Sequence, residues 1–155
     1  MSAQDTAALA TQAADLIAHT GIHQDPRAGH FIDKDGRLDL VASIFRASTG
    51  VAPADLRGYN ADQLAAHIRH DEAVMDLLRW LSEHITHTYG AEAPGEPGEP
   101  DYIEHVTAWA DGTLPYWHIA EADQLGPLTP TVDQVIALLQ YIADTLPRTD
   151  IDIPA

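Results

Sequence analysis

The sequence predicts a mainly α protein, a compact bundle of five to six helices with a short hairpin or extended turn near residues 30–38. Apolar residues recur at helical spacing in several segments, and most of these segments are bounded by residues that start or stop helices. Between them, one short stretch combines extended residue types with an Asp-Gly pair. At 155 residues the chain is long enough to bury a core of its own.

The first fifty residues are expected to form a helix, a turn and a second helix. Residues 3–19 are rich in alanine and carry leucine and isoleucine at helical spacing, and Gly21 supplies a left-handed stop. The Asp-Gly pair lies within residues 29–38, which indicates a small hairpin or an extended turn. Asp39 then caps a helix over residues 40–48.

The next helical segment admits two interpretations. Asn60 with Gln63 three residues later is a capping-box pattern that opens a helix, and Gly90 ends the segment. The apolar period continues between these limits. Because Asp71 is itself a good N-cap, the segment is either one helix to about residue 88 or two helices that meet at His70 and Asp71.

A linker divides the chain after this segment. Residues 91–100 contain no apolar side chain larger than alanine or proline, so burial cannot offset the entropy lost on ordering them. We therefore expect a mobile or polyproline-like linker. We assign residues 1–147 to a single helical domain that this linker interrupts, and residues 148–155 to a C-terminal tail.

Three helices are expected beyond the linker. The first is a short helix that includes Tyr102 and Trp109, and the second covers residues 115–126. The last is capped by Thr129 or Thr131, has an apolar face from Val132 to Leu146, and is stopped by Pro147. We expect that face to pack on the first helix or on the helix around Leu78.

The charge of the chain is strongly negative and uneven. Twenty-four Asp and Glu oppose eight Lys and Arg, for a formal net charge of −16. Residues 1–90 hold twelve acids and seven bases, a net −5, whereas residues 91–155 hold twelve acids and only Arg148, a net −11. Such a half repels nucleic-acid backbones and anionic membranes, so we expect neither as a direct partner and favour a basic protein surface.

The cysteine count and the N-terminus bear on localisation. The chain has no cysteine, which excludes disulfides, thiolate zinc sites and a cysteine nucleophile. The first residues lack the basic and apolar regions of a signal peptide, and no window has the roughly 20 apolar residues of a membrane span. We therefore expect a cytoplasmic protein.

A resemblance to known proteins rests on the turn and the last helix. Residues 29–41 read GHFIDKDGRLDLV, and residues 135–139 read VIALL. The chain resembles small actinobacterial proteins that are catalogued as a domain of unknown function, which carry a similar Gly-Arg turn between helices and a similar final helix. In those proteins a small or thiol residue follows the Gly-Arg step, where this chain has Asp39. The resemblance implies a helical architecture and no catalytic residues.

A histidine cluster is the candidate metal site. His67, His70 and Asp71 would share one side of a continuous helix, where His67 and Asp71 stand within about 40° of each other. Two histidines and one carboxylate on one face can bind a divalent metal ion. If the helix breaks at this point, Asp71 is an N-cap and His67 lies at the edge of the core. The broken helix is the simpler explanation, so the metal ion stays an alternative.

Aromatic and acidic residues cluster after the linker and form a candidate contact site for a ligand or partner. Aromatic rings next to carboxylates bind cationic molecules and arginine side chains by stacking and charge. The competing explanation is that the rings fill the core of a short segment. The residues of this segment are Trp109, Asp111, Tyr116, Trp117, His118, Glu121 and Asp123.

The motifs of common enzymes do not occur in the sequence. There is no Walker loop, dinucleotide fingerprint, nucleophile elbow or His-Glu-x-x-His, so we assign no catalytic residue and predict no cofactor. The sequence favours a non-enzymatic acidic interaction protein that binds a basic partner surface as an adaptor, inhibitor or regulator, with nucleic-acid mimicry as a special case. The alternative is a small metal- or ligand-binding enzyme that uses a His/Asp cluster. A third hypothesis is acid sensing through the nine histidines.

Overall fold

Seven α-helices follow one another in the residues that the computed structural model describes, which are 3–28, 30–85, 100–113 and 129–151. They are α1 (Ala3–Thr20), α2 (Leu40–Thr49), α3 (Pro53–Leu56), α4 (Ala61–Arg69), α5 (Glu72–His84), α6 (Tyr102–Asp111) and α7 (Val132–Ile151). These helices form a compact bundle, which confirms the predicted mainly α class with one helix more than expected. Within the described ranges, no helix is both long and apolar enough to cross a membrane.

The first and last helices make the most extensive contact in the described bundle. The buried face of α1 consists mainly of alanines, among them Ala10, Ala13 and Ala14. Small side chains let a neighbouring helix approach closely, and α7 presents a continuous apolar row to this part of the core. The row consists of Val135, Leu139, Ile142 and Leu146, all buried. The predicted pairing of the last helix with the first is therefore confirmed.

Helix α5 lies at the centre of the bundle and contacts α1, α2, α4, α6 and α7. A hydrogen bond of 2.6 Å between Ser82 Oγ and His105 Nδ1 ties it to α6. Its buried residues are Val74, Leu77, Leu78 and Leu81. These side chains have no exposed surface, so α5 contributes three fully buried leucines to the core against which the neighbouring helices pack.

The boundaries of α1, α2 and α4 agree with their predicted caps. Gly21 follows α1 with a φ of 69°, in the left-handed region that a helix stop of this kind requires. The side chain of Asp39 accepts a hydrogen bond from the Ala42 N–H at the start of α2. Asn60 and Gln63 form both hydrogen bonds of a capping box at the start of α4.

Residues 60–85 form two helices, which resolves the alternative that the sequence left open. α4 ends at Arg69, and α5 begins after Asp71, whose side chain accepts a hydrogen bond of 3.1 Å from the Val74 N–H. The other carboxylate oxygen of Asp71 accepts a hydrogen bond of 2.8 Å from Ser48 Oγ of α2. Asp71 therefore caps the second helix and fixes the break between the two.

The predicted stop at Pro147 is wrong. Helix α7 continues through this position to Ile151. Proline removes one backbone hydrogen bond inside a helix, but its fixed φ is itself close to the helical value. The end of the helix tolerates this loss, since the residues before Pro147 are already held by packing on α1. The N-terminus of α7 agrees with the prediction, because Thr131 Oγ1 accepts a hydrogen bond from the Gln134 N–H.

Several predictions fall on residues outside the described ranges. The linker over 91–100, apart from Pro100, is one of them, and the helix over 115–126 is another. Residues 152–155 of the predicted tail also lie outside. The assignment of 1–147 to one domain therefore stays a prediction.

The packing of α7 on α1 predicts a large loss of stability when its central leucine is shortened. Leu139 has no exposed surface, and Leu139→Ala is expected to lower the free energy of unfolding by about 2–5 kcal/mol through lost burial and a residual cavity. The control is Gln140→Ala on the exposed side of the same helix, which should change it by less than about 0.5 kcal/mol. Urea denaturation measures both, and equal losses would contradict the packing of α7 on α1.

Candidate functional site

The turn before α2 contains a strained residue. Phe31 has a φ of 78° and is the one non-glycine residue with positive φ in the part of the chain that the structure describes. Large side chains rarely adopt this conformation, which persists only where the surroundings impose it. The Phe31 ring is buried, and a single antiparallel bridge between Ile32 and Leu38 closes the turn. This is the predicted hairpin, reduced to one bridge.

Asp39 imposes the conformation of Phe31. Its Oδ2 accepts a hydrogen bond of 2.9 Å from the Phe31 N–H, and its own N–H donates to the Phe31 carbonyl at 2.8 Å. Its Oδ1 accepts a hydrogen bond of 2.9 Å from the Ala42 N–H of α2. Burial raises the pKa of Asp39 above its ordinary value of 3.8, against the opposing effect of these two N–H groups and of nearby histidines. One buried carboxylate therefore joins the turn to α2.

A cleft of about 430 Å³ opens beside Phe31, between α4 and the first turn of α6. We call it the His30 cleft. It is lined by His30, Phe31, Ala61, Asp62, Ala65, Arg69, Asp101 and Glu104. Its volume is within the range of pockets that bind small molecules or single side chains.

An ion pair crosses the His30 cleft. His30 Nε2 lies 3.1 Å from Glu104 Oε1, and both side chains are partly exposed, at 43% and 33%. The hydrogen bond to Glu104 raises the pKa of His30 above its ordinary value of 6.5 although partial burial opposes it. The hydrogen bond from His30 lowers the pKa of Glu104 below 4.5. The pair is therefore charged in mildly acidic solution.

Carboxylates outnumber cationic groups in the His30 cleft. Asp62, Asp101 and Glu104 face one permanent cation, Arg69, and one titratable base, His30. Asp101 is buried and caps α6 through a hydrogen bond from the Glu104 N–H at 3.1 Å. The cleft is thus net negative, and it becomes more negative when His30 loses its proton.

Asp39 also lines a second, much smaller cavity of about 10 Å³, together with His23, Thr107 and Asp111. His23 is buried, and neither its ring nitrogens nor the Thr107 hydroxyl has a hydrogen-bond partner within the described ranges. A polar cavity of this size holds one water molecule. Burial raises the pKa of Asp111 above 3.8, against hydrogen bonds from Thr113.

The predicted metal cluster does not have the geometry that its interpretation requires. His67 is exposed and its ring makes an edge contact with Tyr59, at 4.7 Å between centroids. His70 follows the end of α4, and both carboxylate oxygens of Asp71 accept hydrogen bonds at the start of α5. The predicted metal site required His67, His70 and Asp71 to lie on one continuous helix, but the chain forms two helices here, α4 and α5. Among the residues that the structure describes, no group of three or more His, Cys, Asp or Glu side chains can hold a metal ion.

The predicted aromatic and acidic contact segment lies only partly within the described ranges. Trp109 is half-buried against the core on α6. Asp111 ends the same helix, and its Oδ1 accepts a hydrogen bond of 3.0 Å from the Thr113 N–H. The rest of the segment, which lies outside, is Tyr116, Trp117, His118, Glu121 and Asp123.

The comparisons with known proteins give no assignment. No protein-family model, no curated protein and no solved structure matches the chain. The resemblance to actinobacterial domains of unknown function therefore stays a prediction, and the function has to be argued from the site.

Sequence reasoning did not find the central pair of this site. His30 and Glu104 are 74 positions apart, and no spacing rule connects them. The one available signal was the turn near residues 30–38, which the sequence marks as the one non-helical element of the first fifty residues. The positive φ of Phe31 has no signal in the sequence, because phenylalanine is not typical of that conformation.

The two roles of Asp39 predict that its loss costs more than the loss of an ordinary cap. Asp39→Ala removes an N-cap, worth about 1 kcal/mol, and leaves the buried Phe31 N–H unpaired, worth about 1–3 kcal/mol. Asp71→Ala is the control, since Asp71 also caps a helix and accepts a second hydrogen bond, but that bond comes from the exposed Ser48 hydroxyl and not from a buried turn. Chemical denaturation should show a loss of about 2–4 kcal/mol for Asp39→Ala. A loss no larger than that of Asp71→Ala would contradict the role of Asp39 in the turn.

The His30–Glu104 pair predicts a pH-dependent contribution to stability. Because the folded pKa of His30 is raised, its contribution is complete below 6.5 and is lost as the pH rises through the raised value. Because the folded pKa of Glu104 is lowered, its contribution is present above 4.5 and is lost as the pH falls through the lowered value. The pair therefore stabilises most between these two pH values.

His30→Gln should accordingly destabilise the protein at about pH 5.5, by no more than about 1 kcal/mol for a partly exposed pair, and much less at about pH 9. His67→Gln is the control, since His67 has no carboxylate partner in the described structure. Urea denaturation of both variants at the two pH values measures the effect. A stability difference for His30→Gln that does not depend on pH would contradict the ion pair.

Proposed function

We propose that this protein is a non-enzymatic binding protein that takes a basic side chain of a protein partner into the His30 cleft, and so acts as an adaptor, inhibitor or regulator. The observation that supports this most directly is the cleft itself. It combines about 430 Å³ of space with three carboxylates, against one arginine and one histidine. A cationic group is the chemistry that such a lining favours.

The acids of α6 lie along one face and support a surface larger than the cleft. Asp101, Glu104 and Asp111 are separated by three and seven residues, which places them on the same side of the helix over about three turns. His30 stands opposite this row, and its charge acts on both Glu104 and Asp111. The acids of α6 and its N-cap thus lie on one side of that helix, whereas Asp133 and Asp144 of the acidic half lie on α7.

The apolar part of the cleft fits the stem of an arginine or lysine. Ala61, Ala65 and Phe31 contribute apolar surface, whereas Asp62 and Glu104 contribute carboxylates. Long basic side chains pack their methylene groups on apolar surface and keep their charged heads at the polar edge. A guanidinium also pairs with carboxylates through two parallel hydrogen bonds. We therefore propose an arginine as the preferred group.

His30 and Arg69 set the conditions under which the cleft accepts a cation. When protonated, His30 forms an ion pair with Glu104 and competes with the basic side chain of the partner for this carboxylate. Arg69 acts on Glu104 from the same cleft and favours its ionised form. Binding is therefore expected to strengthen as the pH rises through the pKa of His30, because Glu104 is then released for the partner.

The proposal predicts which carboxylate matters for binding. The probe is a short arginine-rich peptide, and its affinity is measured by fluorescence anisotropy at constant ionic strength. Glu104→Gln should weaken binding about fivefold, as expected for one charge-assisted hydrogen bond in a half-exposed cleft. The matched control is Asp144→Asn, which makes the same change in net charge at an exposed position of α7. This control should leave the affinity nearly unchanged.

Two outcomes would contradict the proposal. Equal losses for Glu104→Gln and Asp144→Asn would mean that the peptide responds to overall charge and not to the cleft. An affinity that does not increase between about pH 5.5 and 8 would contradict the competition by His30. A peptide with citrulline in place of arginine is the control for the positive charge of the peptide, and it should bind much more weakly.

A further inference from the structure

A third cavity lies at the other end of the turn that carries His30. It has a volume of about 100 Å³ and lies between the C-terminal end of α1, the end of the turn, and α2. We call it the basic pocket. Its polar and small lining residues are Thr20, Gly21, Gly36, Arg37, Ser43 and Arg46. No residue of the His30 cleft lines it, so the two sites are separate.

Cationic side chains gather around this pocket although the chain as a whole is strongly acidic. Arg37 and Arg46 line it directly. Arg57 lies beside Gly36, where a Cβ would stand 2.8 Å from its Nη2, and that Nη2 donates a hydrogen bond of 3.2 Å to the Lys34 carbonyl. Three of the eight Lys and Arg residues of the chain, namely Arg37, Arg46 and Arg57, therefore line this pocket or lie beside it.

Helix α2 contributes two polar side chains to the pocket. Ser43 is 2% exposed and lines the pocket. Arg46 is half-buried one turn later on the same face of α2, and no described carboxylate forms an ion pair with it. A half-buried guanidinium without a carboxylate partner is available to an anion that enters the pocket.

Arg37 completes the set of donors. Its Nε donates to Asp33 Oδ2 at 3.1 Å in a side chain that is 62% exposed, and this bond does not use the two terminal nitrogens of the guanidinium. Asp33 in turn accepts the backbone N–H groups of Asp35 and Arg37. The turn thus positions one guanidinium at the pocket, and α2 positions the other.

We propose that the basic pocket binds a tetrahedral oxyanion, the phosphate group. Guanidinium groups bind phosphate oxygens in pairs of charge-assisted hydrogen bonds, and the Ser43 hydroxyl is a second kind of donor. The volume of about 100 Å³ suits a single phosphate group and is too small for a nucleotide. Free inorganic phosphate and the phosphate of a small monoester share this chemistry, and the pocket's size favours the free ion.

The test is a titration with inorganic phosphate at constant ionic strength, with chloride as the exchanged anion, followed by thermal unfolding and by calorimetry. We expect saturable stabilisation with a Kd of about 1 mM or tighter. Arg46→Gln should weaken binding at least about tenfold, because it removes one of the two guanidinium groups. Ser43→Ala, which preserves the helix, should weaken it about fivefold.

The control variant is Arg79→Gln, which removes an exposed arginine of α5 that does not line the pocket. It should leave phosphate binding unchanged. Saturable binding that Arg46→Gln and Ser43→Ala weaken, but Arg79→Gln does not, supports the site. Absence of saturation at about twenty times the expected Kd, or equal losses for Arg46→Gln and Arg79→Gln, overturns it. A parallel titration with O-phosphoserine identifies the source, since tighter binding of the monoester assigns the pocket to a phosphorylated molecule.

Discussion

The buried carboxylate of Asp39 is the contact on which the rest of the described site depends. One of its oxygens caps α2, and the other holds the N–H of Phe31 in a turn whose backbone is strained. Burying a carboxylate is costly and raises the pKa of Asp39, and the two N–H groups offset part of that cost. Because His30 directly precedes Phe31, this contact also decides that His30 faces Glu104 on α6.

The same turn separates two kinds of surface. At its start lies the His30 cleft, where carboxylates predominate, and at its end lies the basic pocket with Arg37 and Arg46. A formal net charge of −16 describes neither of them. The charge of each site depends on the groups that the fold brings within a few ångströms of it, because water and salt screen more distant charges. The acidic character of the chain therefore has a local exception, and both sites depend on the position of one short segment.

Much of the fold was predictable because its signals are local. The capping box of Asn60 and Gln63, the N-cap of Asp39 and the stop at Gly21 each involve residues within one helical turn, where backbone and side chain decide the outcome together. The stop at Pro147 failed for the opposite reason. Proline weakens a helix locally, but the contact of α7 with α1 is made along its whole preceding length and outweighs that preference.

The candidate site was not predictable in the same way. The sequence by itself determined the helical class, the caps and the uneven charge, because helix periodicity, capping and composition are properties of short segments or of simple sums. Only the tertiary structure decided that Asp71 meets Ser48 of α2 and that His30 meets Glu104, 74 positions away. It also decided that Ser43 and Arg46 line a pocket with Arg37. Such contacts arise when whole helices pack to bury their apolar faces, and no local rule records which polar groups that packing brings together.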